Sequence, residues 1–138
     1  MYLIDTDVIS EARKGAKANP GVRALFEYAA THNTPLYLSA ITIGELRQGV
    51  ENIRHRGDAA QAKQLEQWLD RLIRDYANTI LAFDADTAQV WARLRVPDAE
   101  NPLDKQIAAT ALIHDLTIVT RNTAHYASTG VECLNPFV

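Results

Sequence analysis

The sequence predicts an α/β domain built on a parallel central sheet with helices on both faces. Three observations carry that expectation. Short β-rich runs recur at Tyr2–Ile4, Leu36–Ser39, Ile80–Phe83 and Leu116–Thr120. Segments of helical periodicity separate them, and no internal repeat or low-complexity stretch breaks the alternation. Strands that alternate with helices in this way pair side by side, and the crossovers cover the sheet.

Taken in order, Tyr2–Ile4 is the first strand, and residues 6–13 form a short helix with Thr6 or Asp7 as its cap. Asn19-Pro20 starts a second helix with proline at its first position, placing Val22, Leu25, Phe26 and Ala29 on one face. After the strand Leu36–Ser39, Thr42 is expected to cap a third helix. Glu45, three residues on, stands at capping-box spacing in its first turn. Gly57-Asp58 punctuates the middle of the chain. Leu65, Trp68, Leu69, Leu72, Ile73 and Tyr76 then fall at i, i+3, i+4, i+7, i+8 and i+11, an amphipathic stripe. Ile80–Phe83 leads to a helix over 84–94. Pro97 and Pro102 bracket a loop, and the alanine-rich stretch 103–115 is a helix able to lie close against the sheet. Leu116–Thr120 is the fourth strand and Val131–Leu134 a short edge strand.

The whole chain, residues 1–138, reads as a single domain, large enough to bury most of its unfolded surface. Apolar residues at 47% and charged residues at 22% are ordinary for a globular protein and exclude a disordered one. No apolar stretch approaches the roughly 18 residues a membrane span needs. The N-terminus opens directly on a strand, so neither a signal peptide nor a membrane association is expected, and a cytoplasmic location is. Cys133 is the one cysteine, which rules out an internal disulfide framework and a cysteine zinc site. With 14 basic against 17 acidic residues the net charge is −3, which argues against a surface that grips nucleic acid everywhere but allows a local basic rim.

In a parallel sheet the ligand crevice lies beyond the carboxyl ends of the strands. Asp5 follows the first strand, Asn122 follows the fourth, Glu45 lies early in the helix after the second, and Asp104 opens the alanine-rich helix. The topology therefore brings three carboxylates and an amide to one edge. Each has an ordinary alternative. Asp5 is a good helix cap, Glu45 the acid of a capping box, Asp104 a complement to a helix dipole, and Asn122 a residue suited to a left-handed turn. Their coincidence at one edge is what those alternatives leave unexplained. Carboxylates brought together repel unless a cation neutralises them, and an oxygen-only set selects Mg²⁺ or Mn²⁺ over zinc. Such an ion activates water against a phosphate ester. The four histidines show no metal-binding spacing, and His125 alone is placed to face this edge.

The segments LIDTDVIS, ITIGELRQG, PLDKQIAATA and TIVTRN, in that order and spacing, resemble those of the PIN-domain ribonucleases, and more narrowly the VapC-type toxins of toxin–antitoxin pairs. The resemblance spans essentially the whole chain. It implies a three-layer α/β/α sandwich, an endoribonuclease dependent on Mg²⁺ or Mn²⁺, an RNA substrate, a homodimer, and a small antitoxin protein that blocks the site. Position by position, Asp5, Glu45 and Asp104 match the acidic ligands. Asn122 matches a fourth position that is an acid in many relatives, and His125 stands where a further acid is frequent. These departures bear on a second metal ion more than on a first. The expected mechanism is an ion held by Asp5 and Asp104, with Glu45 and Asn122 completing the shell or holding waters. Thr6 and Thr120 resemble the small polar residues that support such ligands. Arg47 and Arg121 are near enough in sequence to contact phosphate, and equally able to pair with an acid. Asp7 is assigned to the short helix rather than to the metal.

Two other readings compete. Asp5-Thr6-Asp7 has the DxD spacing of a haloacid-dehalogenase-type phosphatase, in which the first aspartate attacks phosphorus, although the late strand here ends in Thr120-Arg121-Asn122 rather than an acidic pair. The apolar stripe from Leu65 to Tyr76, with the helices holding Val22–Ala29 and Ile43–Val50, also fits a partner-binding module without catalysis.

Overall fold

Five parallel strands in the order β3-β2-β1-β4-β5 form the centre of the computed structural model, which describes residues 1–138. The strands are β1 (Tyr2–Ile4), β2 (Leu36–Ser39), β3 (Ile80–Leu81), β4 (Thr117–Val119) and β5 (Cys133–Leu134). The helices are α1 (Thr6–Ala12), α2 (Pro20–Thr31), α3 (Ala40–His55), α4 (Ala59–Asp75), α5 (Ala85–Leu94) and α6 (Pro102–His114).

Alternation along the strands divides the core in two, because successive side chains of a strand point to opposite faces. Ile4, Leu38 and Val119 pack with Val8 and Ile9 of α1, Val22 of α2, Val50 of α3 and Leu69 and Leu72 of α4. Leu3 and Ile118 turn the other way, against Ile107, Ala108 and Ala111 of α6. The result is the α/β/α sandwich. The alanines of α6 are buried, so the helix lies close to the sheet as their size allows. The α4 stripe is split: Leu69 and Leu72 are buried in the core, whereas Leu65, Trp68, Ile73 and Tyr76 are packed against it but only half covered.

The boundary of the third helix differs from expectation. Strand β2 runs straight into α3 without a loop, so Ser39, its last residue, is the cap, its hydroxyl accepting from Ile41 N at 3.0 Å. Thr42 is a buried interior residue of the helix, and Glu45 falls in the second turn, not at capping-box spacing. Strand β3 is shorter than predicted because Asp84 caps α5, accepting from Thr87 N at 3.0 Å, which pulls Phe83 out of the strand.

The strand order decides where the site lies. From β1 the chain adds β2 and β3 on one side, then returns to place β4 and β5 on the other. The crossovers diverge between β1 and β4, which opens a crevice beyond their carboxyl ends. Asp5 N donates to Val119 O at 2.9 Å, so the residue leaving β1 is stitched to the end of β4 at that point. Gly21 marks a different constraint: a Cβ there would stand 1.9 Å from Pro136 O, so the C-terminal tail packs directly on the start of α2. Asn19 fixes the same tail through Val138.

Candidate active site

Asp5 sits at the crevice floor and is nearly inaccessible, 4% exposed. Its Oδ1 accepts from Thr6 N at 2.7 Å, so it does cap α1, while Oδ2 accepts from Thr120 Oγ1 at 2.8 Å and from Tyr126 OH at 2.9 Å. Burial, and next the charge of Asp7, push its pKa up to about 6 against these three donors. Thr120 in turn accepts from Asn122 N at 3.0 Å, which ties the turn after β4 to the carboxylate.

Glu45 reaches the same edge from the second turn of α3. Thr6 Oγ1 donates to Glu45 Oε1 at 2.7 Å and lies 3.1 Å from the buried Thr42 hydroxyl. Burial raises the Glu45 pKa, opposed by the Thr6 hydroxyl and reinforced by the charges of Asp104 and Asp7. Asp104, in the first turn of α6, lies 2.8 Å through Oδ2 from His125 Nδ1. An ionised carboxylate only accepts, so the imidazole is the donor.

Asp7 also belongs to this group. Its Oδ2 accepts from Arg121 N at 2.9 Å, and its Oδ1 is buried without a hydrogen bond of good geometry, although Val8 N acts on the carboxylate. Burial raises its pKa as well, with Asp104 adding to the rise. Tyr126, buried between these acids, has its phenol pushed far up by burial and by the charges of Asp5 and Asp104.

Not every expected residue turns inward. Asn122 is exposed, and its backbone does the bonding seen here; at φ −93° it does not take the left-handed conformation. Arg121 lays its guanidinium 3.7 Å above the Phe137 ring centroid. Arg47 pairs with Glu66 at 2.7 Å and Asp70 at 3.4 Å, bracing α3 against α4. Two residues from Glu45 on a helix, it points away from it.

Sequence reasoning overlooked Tyr126 and Lys105. Lys105 is 1% exposed and donates through Nζ to Asp98 O at 2.7 Å and to Glu100 O, with Asp98 Oδ2 at 3.2 Å. It holds the loop that delivers Asp104. A cation in a helix's first turn opposes the macrodipole, and that anomaly was the available signal. Tyr126 left none, because an aromatic residue after a turn reads as core.

The donor set suits a hard divalent cation: every candidate ligand is oxygen, three of the acids have raised pKa values, and one carboxylate oxygen is sealed off unpaired. As they stand, no three carboxylate, imidazole or thiol groups are close enough together to hold one ion. Mg²⁺ keeps several of its waters and needs no all-protein cage.

A parallel α/β/α domain with carboxylates at its switch point is a scaffold for phosphate-ester chemistry. The chain belongs to the PIN-domain family, whose model matches residues 2–129. It is 33% identical to Toxin FitB of Neisseria gonorrhoeae over 99% of both chains. It is 32% identical to the VapC ribonuclease Y4jK of Sinorhizobium fredii over 99% of this chain and 98% of that one. The crystal structure of FitAcB from Neisseria gonorrhoeae superposes with a TM-score of 0.84 at 33% identity, over 99% of this chain and 98% of that one. Membership implies use of a divalent metal ion, and it sets aside the haloacid-dehalogenase alternative. No helix is long and apolar enough to cross a membrane.

Proposed function

We propose that this chain is a Mg²⁺- or Mn²⁺-dependent endoribonuclease that acts as the toxin of a toxin–antitoxin pair. The observation that carries the reading is the gathering of Asp5, Asp7, Glu45 and Asp104 at the β1/β4 crevice, with burial and mutual repulsion raising three of them. The names and assemblies of the relatives support the same reading.

Asp5 and Asp104 would hold the ion and Glu45 would complete its surroundings directly or through water, while Asn122, exposed at the rim, would reach it only through water. Bound there, a divalent ion polarises a phosphoryl oxygen and lowers the pKa of a water. The chain's own residues do the rest. Thr120 and Tyr126 fix the Asp5 carboxylate, and His125 fixes that of Asp104. Thr6 occupies Glu45 Oε1 and leaves Oε2 to take a proton from the attacking water. A carboxylate with a raised pKa suits that role. Attack by water releases a 3′-hydroxyl and leaves a 5′-phosphate.

The antitoxin takes the groove between α1, α3 and α4, about 220 Å³, lined by Thr6, Ser10, Arg13, Glu45, Leu46 and Trp68 among others. Its apolar walls suit a partner segment, and because Thr6 and Glu45 are shared with the acidic edge, an occupant abuts the site. A homodimer in the cytoplasm belongs to the same reading.

The test incubates cellular RNA with the purified chain and with Asp5→Asn, in Mg²⁺, in Mn²⁺ and in EDTA. Fragments with 5′-phosphate ends that vanish in EDTA and in the variant are expected. Cleavage that survives either change overturns the reading. Host-cell toxicity that persists in Asp5→Asn would favour a partner-binding module instead.

A further inference from the structure

We propose that Asp7 is a working member of the acidic site, its free oxygen Oδ1 directed to the bound divalent ion either as a ligand or through a water; this rests on the metal-dependent reading above.

The carboxylate is held at one end only. Arg121 N donates to Oδ2 at 2.9 Å, and that bond clamps the first turn of α1 to the turn after β4, across the crevice. Oδ1 is out of solvent and has no hydrogen bond of good geometry: Val8 N acts on the carboxylate but donates to Asp5 O at 3.1 Å. Carboxylate oxygens in proteins take several donors, and a buried acceptor left without one costs about 1–3 kcal/mol. None of the ion pairs in the structure includes Asp7. The guanidinium of Arg121, which has some electrostatic reach to it, is stacked on Phe137.

A role confined to the α1 dipole explains a negative charge in the first turn, but not the orphaned oxygen nor the company it keeps. Asp7 interacts unfavourably with each of the other three acids: its charge acts on Asp5 and on Glu45, and Asp104 acts on it. A helix of seven residues offers little dipole to offset three repulsions. A shared cation offsets all of them at once. Asp7 also supplies the negative charge that Asn122, a neutral amide at this edge, does not.

Calorimetric titration with Mn²⁺ of the wild type, Asp5→Asn, Asp7→Asn and Asp7→Ser tests this. Asparagine keeps an oxygen for the Arg121 N–H and removes only the charge, and serine provides a second, smaller replacement should asparagine fold poorly. Both Asp7 variants are expected to bind Mn²⁺ roughly 10- to 100-fold more weakly, the range for removing a group that supports a metal centre. Their nuclease activity should recover as Mn²⁺ is raised, which a scaffold defect would not produce. An Mn²⁺ affinity for Asp7→Asn within about twofold of wild type, with Asp5→Asn clearly weakened, overturns the role of Asp7 and leaves the metal site standing. Equal affinity in all four proteins overturns both.

Discussion

Replacing Asp5 by asparagine should make the metal-free protein more stable, although Asp5 is the best-bonded acid of the site. Its pKa stands at about 6 in the folded chain against 3.8 for the free side chain, and it is 4% exposed, so screening by water is slight. Because the folded value is the higher one, the folded chain retains a proton that the unfolded chain releases between about pH 4 and 6. Stability therefore falls as pH rises through that window. At about 1.4 kcal/mol per unit, the ionised carboxylate costs roughly 3 kcal/mol at pH 7.5. Asparagine keeps the acceptor for Thr6 N, and its amide can donate to the hydroxyls of Thr120 and Tyr126. Urea denaturation in EDTA should show Asp5→Asn ahead by up to about 3 kcal/mol at pH 7.5 and by less than about 1 kcal/mol at pH 4. Mn²⁺ at about a thousandfold excess over Kd should reverse the order, since it stabilises the wild type by roughly 4.1 kcal/mol. A metal-free variant no more stable than wild type at pH 7.5 would refute the reasoning. Asp5 would then be a satisfied structural cap rather than a strained charge.

Thr120→Val preserves shape but removes the donor to Asp5 and the acceptor for Asn122 N; a loss of about 1–3 kcal/mol at pH 7.5, together with nuclease activity, is expected from chemical denaturation and cleavage assays. Lys105→Met strips two carbonyls and Asp98 of their buried partner, so hydrogen exchange over 98–101 should quicken and stability should fall by about 2 kcal/mol. Unchanged exchange there would show that the loop holds itself. Gly21→Ala sets a methyl group against Pro136 O, and thermal denaturation should register a loss of about 1–3 kcal/mol as the C-terminal tail is displaced.

The parallel arrangement and most elements follow from the sequence because periodicity reports burial directly. Tyr2–Ile4, the 65–76 stripe and the alanine-rich helix each carry their pattern in a few consecutive residues. Boundaries set by tertiary contact were less legible. Ser39 takes the cap from Thr42 only because β2 enters α3 without a loop, a fact of geometry that the run SAITIGE does not encode. Glu45 consequently reaches the edge from the second turn, held by a hydroxyl from α1. Asp7 looked like a helix residue because its partner, the Arg121 backbone, is remote in the chain and invisible to spacing. Arg47 and Arg121 could be divided between acid, aromatic and substrate only once α4 and the C-terminal tail were in place.

By itself the sequence determined the class of sheet, which depends on the order of elements along the chain, and it pointed Asp5, Glu45 and Asp104, though not Asp7, to the carboxyl edge. The tertiary structure alone decided which oxygens are occupied and which are left over. Hydrogen bonds between residues far apart in the chain settle that: Thr120 and Tyr126 hold Oδ2 of Asp5, while Oδ1 of Asp7 is left over.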